Sequence, residues 1–328
     1  MTNSKSIVNN WQPNTTLKTL KCRAELLDRA RSFFKKSNTL EVDTPSLSQS
    51  TTPDPNIESF ITFYNNQQYY LHTSPEFPMK RLIASGAGAI YQICKVFRQA
   101  EAGRNHNPEF TMIEWYQPDM QYHQLMQQVD ALVRCLLQDK LTLEESQFFS
   151  YKDIFLNIIG INPHIANESD LYTVIEKNKI QLYQSDTSLT KDALLDLIMT
   201  HLIQPALPKD APVFIYDYPA TQAALANIRK EKINIAERFE LFINGAELAN
   251  GYQELLDAEE QQQRFENENS ARANSGMKSI PIDGNLIAAL RHGLPMVSGV
   301  ALGLDRVLML ATGVTSINDV IAFTIDKA

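Results

Sequence analysis

Two long stretches of the chain carry apolar residues at helical spacing. The first stripe consists of Leu17, Leu20, Ala24, Leu27, Ala30 and Phe34. This spacing predicts an amphipathic helix over residues 16–37, with Thr15 or Thr16 as its N-cap. The second stripe, from Tyr122 to Leu136, predicts another such helix, for which Asp119 is the expected cap.

Shorter stretches have strand character, and they alternate with further helices. The predicted strands are residues 57–64, 68–72, 89–98, 110–116, 213–218 and 238–243. The predicted helices are residues 75–84, 258–273 and 283–291. Gly293 is expected to end the last of these in the left-handed conformation. Strands that follow one another across hairpins, flanked by helices, predict an α+β fold with an antiparallel sheet.

The fourth predicted strand combines apolar and polar residues in a way that indicates a site. Alternation puts Glu114 and Tyr116 on one face, and Ile113 and Trp115 on the other. Arg98 ends the preceding strand, so a polar loop of eleven residues brings it to the mouth of the same hairpin. An arginine there is suited to a phosphate, and the carboxylate and phenol are suited to an amine. The pattern indicates a site that joins an amine-bearing acid to ATP.

Two glutamates flank a turn signal in the second half of the chain. Glu240 and Glu247 lie on either side of Asn244-Gly245, so we expect them on paired strands. There they are candidate ligands of a divalent cation, although glutamates beside a turn are more often simply solvated.

A polar pattern with period two follows directly. Asn250, Tyr252 and Glu254 share one face if the segment is extended, with a carboxylate at its end. Such a face suits an ammonium group, which needs paired carboxylates and hydrogen bonds when it leaves water. Core packing is the alternative interpretation of the tyrosine.

Four segments resemble motifs of the class II aminoacyl-tRNA synthetases, in their lysyl form. The first is residues 41–45 after the long helix, and the second runs from Phe97-Arg98 to the His106-Asn107-Pro108-Glu109-Phe110 run. The third is residues 299–306, and residues 239–255 are similar to the lysine-binding block. The resemblance implies the class II synthetase catalytic fold in one domain over residues 1–328, with a helical, family-variable insertion at about residues 140–207. It also implies a homodimer, through the first motif.

The resemblance further implies ATP and Mg²⁺ as cofactors, with two catalytic arginines. Arg98 neutralises the α-phosphoryl group and holds the attacking carboxylate, and Arg306 clamps the terminal phosphate. Glu240 and Glu247 hold the Mg²⁺. The residues implied to contact ATP are Arg98, Glu101, His106, Asn107, Phe110, Glu247, Leu248, Gly303 and Arg306.

A second set of residues is implied to bind a diamino acid. It consists of Ser74, Glu76, Glu114, Tyr116, Asn250, Tyr252, Glu254 and Ala301. By resemblance, Glu76 holds the amino group nearer the reacting carboxyl. Glu114, Tyr116 and Glu254 hold the distal amine.

One position departs from the class II pattern. The second motif usually reads Phe-Arg-x-Glu, and that glutamate receives the adenine amino group, whereas this chain has Ala100 there and Glu101 one residue later. We expect either that the loop shifts to bring Glu101 inward or that the backbone alone contacts adenine.

The segment before the first helix is short. Only about fifteen residues precede it, so we expect no oligonucleotide-binding barrel of the kind that contacts the anticodon. A chain that keeps the lysine-activating motifs without that barrel resembles the elongation factor P (R)-β-lysine ligases. Ala301 favours the same family, because lysyl-tRNA synthetases have glycine there. The added methyl group disfavours α-lysine relative to a β-amino acid by about 1 to 3 kcal/mol.

Composition adds a few constraints. The 328 residues are 44% hydrophobic, which is ample for a core, and the net charge is −8. An acidic balance gives no electrostatic footprint for sequence-independent nucleic-acid binding, so tRNA is not the expected partner. Three cysteines without metal-ligand spacing indicate reduced thiols of a cytoplasmic protein. The polar N-terminus and the absence of a long apolar run predict neither a signal peptide nor a membrane anchor.

Three functions are open at this point. The first is an ATP-dependent ligase that activates (R)-β-lysine as an adenylate and transfers it to a lysine side chain of elongation factor P. The second is a truncated lysyl-tRNA synthetase that charges tRNA, which the short N-terminus and acidic charge disfavour. The third is a non-catalytic regulatory paralogue that binds an amino acid. Glu240, Glu247 and Arg306 argue against it, and Ala100 argues for it.

Overall fold

A large β-sheet forms the centre of the computed structural model, which describes residues 11–99, 101, 103–182 and 189–328. The strands of this part of the chain are β1 (Leu40–Glu41), β2 (Leu47–Ser48), β3 (Ile61–Tyr64), β4 (Gln67–Leu71), β5 (Ile90–Phe97), β6 (Glu109–Pro118), β7 (Gln147–Ser150), β8 (Val213–Pro219), β9 (Ile228–Arg229), β10 (Ile235–Ile243), β11 (Ala246–Gln253) and β12 (Val297–Gly303). In the large sheet the order is β1-β5-β6-β12-β11-β10-β8-β7, with β9 paired to β10. Strands β2, β4 and β3 form a separate small sheet.

Antiparallel pairing dominates the large sheet, because hairpins join its central strands. β5 pairs with β6 across the polar loop, and β10 pairs with β11 across a two-residue turn. In that turn Asn244 and Gly245 both have positive φ, 53° and 72°, as a type I′ turn requires. Only the outermost pairs, β1 with β5 and β7 with β8, are parallel. The predicted antiparallel sheet flanked by helices is confirmed, with parallel pairing added at both edges.

Helices cover the sheet and make up most of the described residues between 140 and 207. They are α1 (Leu17–Lys36), α2 (Glu76–Ala84), α3 (Tyr122–Leu137), α4 (Tyr151–Ile159), α5 (Glu168–Lys177), α6 (Lys191–Ile198), α7 (Gln204–Ala206), α8 (Ala258–Asn274), α9 (Gly284–His292) and α10 (Leu304–Thr312). A π-helical turn, Met199–Ile203, joins α6 to α7. Helices α1, α3 and α10 pack on one face of the sheet.

The largest hydrophobic core lies between these three helices and the sheet. Ile113 and Trp115 of β6 point into it, and Phe34 of α1 stacks on Tyr91 of β5 with ring centroids 4.2 Å apart. A second core packs α4, α5 and α6 against β8. The opposite face of β6, β11 and β12 is therefore left for other side chains.

Several predicted details are confirmed, and others are wrong. Thr16 caps α1, since its Oγ1 accepts a hydrogen bond from the Thr19 N–H at 3.2 Å. The cap of α3 is Gln121 and not Asp119, because Asp119 has a positive φ of 59° and lies in the preceding turn. Gly293 follows α9 with φ 109° and ψ 126°, which is outside the left-handed helical region.

Two predicted segments differ from the structure in extent. The strand predicted at residues 57–64 begins only at Ile61, because its partner β4 ends at Leu71 and pairs only with Ile61–Tyr64. The segment at 140–207 is mainly helical as predicted, but it also contributes β7 to the large sheet.

No helix among the described residues is long and apolar enough to cross a membrane. Residues 1–10 and Ala100 lie outside the described residues.

Candidate active site

A cavity of about 340 Å³ opens on the face of the sheet that α1, α3 and α10 leave free. Its floor is formed by β6, β12 and β11, and its walls include α2, the loop after β2 and part of α8. All of the residues that the sequence assigned to ATP and the diamino acid line this cavity. Glu240 does not, although Glu247 does. The structure thus brings together side chains that are up to about 230 positions apart in the chain.

The floor of the cavity follows from strand register. Glu114 of β6 lies opposite Ala301 of β12, and Ala301 lies opposite Asn250 of β11. Gly299 occupies the next inward position, between the two tyrosines Tyr116 and Tyr252. The alternation predicted for the fourth strand and for the 250–254 segment is therefore confirmed.

Gly299 has a steric reason to be glycine. A Cβ atom at this position would collide with Glu254 Oε1 and with the ring of Tyr116. Its missing side chain lets the carboxylate and the phenol approach the β12 backbone.

Glu114 sits at the bottom of the cavity and is almost completely buried. Its two oxygens accept hydrogen bonds from Ser74 Oγ and from the Tyr116 hydroxyl, each at 2.7 Å. Burial, together with the nearby charge of Glu76, raises the pKa of the Glu114 carboxyl to about 7, against the two hydrogen bonds. The Glu114 carboxyl is therefore partly protonated near pH 7, and a neighbouring ammonium group would favour its ionised form.

Lys80 is a cationic residue of this cluster that the sequence reasoning missed. Its Nζ lies 2.5 Å from Glu76 Oε1 and 2.6 Å from Glu254 Oε2. Burial alone lowers the pKa of the Lys80 ammonium, but the attraction of the two carboxylates outweighs it and raises the pKa above its usual value. The spacing of Glu76 and Lys80, one helical turn apart on α2, was the available signal.

Arg98 lies at the other end of the cavity, directly after β5. Its Nη1 donates to Glu101 Oε1 at 2.9 Å and its Nε donates to the Thr73 carbonyl at 3.4 Å. The guanidinium carbon is 5.2 Å from the centre of the Phe110 ring. Glu101 therefore points inward, as one of the two expected loop arrangements required, and it pairs with Arg98 in this structure.

Arg306, in the first turn of α10, lines the same cavity as Arg98. Its Nη1 donates to the Glu247 carbonyl at 2.6 Å, and its Nη2 donates to His106 Nε2 at 2.8 Å. The His106 ring nitrogen accepts this bond, so the proton is on Nδ1. Burial and the positive charge of Arg306 lower the pKa of His106, which keeps the ring neutral.

Asp305 fixes the position of Arg306, and it too was absent from the predicted site. Its carboxylate is buried, pairs with Arg23 of α1, and accepts the Thr111 N–H of β6 at 2.6 Å. These contacts tie the start of α10 to both neighbouring elements.

The two glutamates of the predicted metal site lie on paired strands, as expected, but they are not directly opposite. A bulge after Leu241 places Glu240 opposite Asn250 and Glu247 opposite Phe242. Glu240 pairs with Arg238 and accepts the Tyr218 hydroxyl at 2.7 Å. Burial, and then repulsion by Glu240, raises the pKa of the Glu247 carboxyl to about 7. A buried and a half-buried carboxylate that repel each other fit a divalent cation. Glu240 Oε1 accepts from both Arg238 and Asn250, so only Oε2 of Glu240 keeps a lone pair for a cation.

The loop residues near the arginines have mainly local partners. Asn107 is buried, and its side-chain amide donates to the Glu109 carbonyl at 2.6 Å. Leu248 is buried on β11 and lines the cavity. Within the described residues, no group of three or more histidine, cysteine, aspartate or glutamate side chains is arranged as a metal cluster.

The two ends of the cavity have complementary chemistry. One end offers carboxylates, phenols and a hydroxyl, which suit ammonium groups. The other end offers two guanidinium groups, which suit phosphates. A molecule with amines at one end and a carboxylate directed toward the arginines would meet a nucleotide phosphate between them.

Comparisons with known proteins agree with this geometry. A family model described as "tRNA synthetases class II (D, K and N)" matches residues 3–327. The elongation factor P–(R)-β-lysine ligase of Edwardsiella ictaluri is 44% identical over 97% of this chain and 98% of its own length. Ligases with the same name from Pectobacterium atrosepticum and Salmonella gallinarum are 43% and 45% identical over the same shares. The chain belongs to the class II tRNA synthetase family, and within it to the elongation factor P–(R)-β-lysine ligases.

Proposed function

We propose that this protein activates (R)-β-lysine with ATP and transfers it to a lysine side chain of elongation factor P. The observation that carries the proposal is the single cavity in which Glu76, Glu114 and Glu254 face Arg98 and Arg306. The activity for which relatives that match nearly the whole chain are named supports the same reaction. Membership of a class II synthetase family implies that ATP is the energy source.

In the first step a carboxylate oxygen of the amino acid forms a bond to the α-phosphorus of ATP. The bond from that phosphorus to the bridging oxygen of the β-phosphate breaks, and pyrophosphate leaves. Arg98 exchanges Glu101 for the α-phosphate and the incoming carboxylate, and Arg306 holds the terminal phosphate. Fixed guanidinium groups in a partly closed cavity stabilise the charge that develops on the phosphoryl oxygens.

The opposite end of the cavity orients the diamino acid. Glu76, at the first turn of α2, holds the amine nearer the carboxyl group. Glu114, Tyr116 and Glu254 hold the distal amine. The remaining cavity residues that we assign to the amino acid are Ser74, Asn250, Tyr252 and Ala301.

The nucleotide occupies the arginine end. We place the adenine and ribose near the residues Glu101, His106, Asn107, Phe110, Leu248 and Gly303. Mg²⁺, when bound by Glu247 and Glu240, supplies charge neutralisation of the pyrophosphate leaving group. Glu247 is the better placed of the two, because it lines the cavity and no side-chain donor contacts it among the described residues.

In the second step the neutral amine of the acceptor lysine attacks the adenylate carbonyl. The carbon–oxygen bond to AMP breaks, an amide forms, and the amine's surplus proton leaves with the AMP phosphate or to water. No covalent enzyme intermediate is required, so positioning supplies most of the catalysis.

Composition and exposed apolar residues bear on the domain organisation, the compartment and the oligomeric state. We propose that residues 1–328 act as one catalytic domain, that tRNA is not a substrate of this acidic chain, and that the reaction occurs in the cytoplasm, consistent with three unpaired cysteines. We also propose a homodimer. Leu40 of β1 and Phe63 of the small sheet are 57% and 67% exposed, and exposed apolar side chains of this kind suit a protein interface.

The first experiment is ATP–pyrophosphate exchange with (R)-β-lysine and with L-α-lysine, followed by transfer to purified elongation factor P. Preferential exchange with (R)-β-lysine and labelling of the factor is the expected result. Equal or greater use of α-lysine together with charging of tRNA would instead indicate a truncated synthetase. Absence of exchange with either amino acid would indicate a regulatory paralogue.

A further inference from the structure

Lys80 is buried to a degree that is unusual for a lysine. Only 1% of its surface is exposed, and it lies among residues that face the cavity. An ammonium without partners in such a place costs several kcal/mol, so Lys80 has to be compensated by its surroundings. Glu76 and Glu254 provide this compensation, and they are two of the three carboxylates that we assign to the substrate.

The position of Lys80 joins two separate elements. Lys80 and Glu76 are on α2, whereas Glu254 directly follows β11 on the floor of the cavity. Lys80 Nζ forms an ion pair with Glu254 Oε2, but this buried oxygen accepts no hydrogen bond from the described residues. The carboxylate therefore keeps capacity for a second cation.

We propose that Lys80 is a positioning and specificity-determining residue of the diamino-acid pocket. Its fixed ammonium holds Glu76 and Glu254 apart, and it changes the summed formal charge of the three ionised carboxylates Glu76, Glu114 and Glu254 from −3 to −2. Glu268 of α8 and Arg81 of α2 line the same cavity with opposite formal charges. A net charge of −2 matches a substrate with two ammonium groups. The proposal rests on the proposed function, because it assumes that Glu76, Glu114 and Glu254 bind the substrate amines.

The charge balance explains discrimination against substrates with one amine. In a closed cavity, an uncompensated carboxylate is costly, so a monoamino acid leaves one charge unpaired or forces a carboxyl to take up a proton. A substrate with two ammonium groups neutralises the net charge of −2 that remains on the three carboxylates and Lys80. Without Lys80, Glu254 meets the repulsion of Glu76 and Glu114 unopposed and takes up a proton at higher pH than before.

The test is the pH dependence of kcat/KM for (R)-β-lysine, measured by pyrophosphate exchange between about pH 6 and 10.5, because the pKa of Glu254 is already raised to about 8. On the acidic side of this pH profile, kcat/KM falls as a carboxylate takes up a proton. In Lys80→Met the midpoint of that fall, the acidic limb, should lie about one to three pH units higher, because a nearby opposite charge usually lowers a carboxyl pKa by that amount. Selectivity for (R)-β-lysine over 3-aminohexanoic acid, which lacks the distal amine, should fall at least tenfold at pH 7. Lys140→Met removes a lysine that pairs with Glu25 at the surface and should change neither quantity.

A merely structural role predicts a different result. It would lower kcat/KM by the same factor at every pH and leave unchanged both the midpoint of the acidic limb and the selectivity over 3-aminohexanoic acid. That outcome overturns the proposal. If Lys80→Met does not fold, Lys80→Arg decides, because it keeps the charge and alters the spacing. A KM for (R)-β-lysine raised at least tenfold, with an unmoved limb and an unchanged KM for ATP, supports the proposal, and unaltered kinetics refute it. Wild-type protein that performs no exchange with (R)-β-lysine refutes the proposed function itself, and this proposal with it.

Discussion

Replacement of Gly299 by alanine is a sharp test of the diamino-acid pocket. The new Cβ would collide with Glu254 Oε1 and with the Tyr116 ring. Neither neighbour can move freely, since Glu254 is paired with Lys80 and the Tyr116 hydroxyl donates to Glu114 at 2.7 Å. The strain therefore falls on the carboxylate that we assign to the distal amine.

Two energies contribute to the expected effect. Overpacking of a closed site costs about 1 to 3 kcal/mol of folding stability. Displacement of Glu254 removes a charge-assisted hydrogen bond to the substrate, about 1.5 to 3 kcal/mol. At 1.36 kcal/mol for each factor of ten, the second loss lowers kcat/KM for (R)-β-lysine by roughly 10- to 150-fold.

The assay is pyrophosphate exchange as a function of both substrates, with thermal unfolding measured in parallel. The KM for ATP should stay within about twofold, because Arg98 and Arg306 lie at the other end of the cavity. Gly284→Ala is the matched control, since no atom lies within 4 Å of its new Cβ. A folded Gly299→Ala enzyme with wild-type kcat/KM for (R)-β-lysine would contradict the assignment of this pocket.

Three further predictions concern the two ends of the cavity. Arg98→Ala should lower the rate of adenylate formation by about 10² to 10³ while circular dichroism stays unchanged, and an active variant would exclude Arg98 from phosphate binding. The KM for (R)-β-lysine should fall as pH rises through about 7, since burial raises the pKa of Glu114 to about 7 and raises that of Glu254 as well. Binding should then release protons, which calorimetry in buffers of different ionisation enthalpy detects. The free energy of unfolding of the substrate-free enzyme should fall as pH rises through about 7, because both carboxyls bind protons more strongly in the folded state. Ala301→Gly should raise kcat/KM for L-α-lysine relative to (R)-β-lysine by roughly tenfold or more, and an unchanged ratio would remove the methyl group from the specificity argument.

Patterns of short range predicted the parts of the fold that depend on local chemistry. The alternation of Glu114 and Tyr116 with Ile113 and Trp115 was enough to assign both faces of β6, because one face packs on α3 and the other lines the cavity. The Asn244-Gly245 turn likewise predicted its hairpin, since few other residue pairs adopt two positive φ angles.

Features that depend on distant partners were not predictable in this way. β7 has four residues, and it becomes a strand only because β8, more than 60 positions later, lies parallel beside it. Lys80 is similar, because lysines are mostly exposed and only the fold places Glu254 near it. Gln121 caps α3 in place of the stronger capping residue Asp119, because the turn after β6 takes up Asp119.

The buried carboxylate of Asp305 connects the hydrophobic core to the arginine end of the cavity. It joins Arg23 of α1 to the Thr111 N–H of β6, and Arg306 is the next residue in the chain. Because Arg306 directly follows Asp305, a rotation of α1 that displaces the Arg23–Asp305 ion pair also shifts the backbone of Arg306. We therefore expect substitutions that change the packing of α1 around Arg23 to raise the KM for ATP more than the KM for the amino acid.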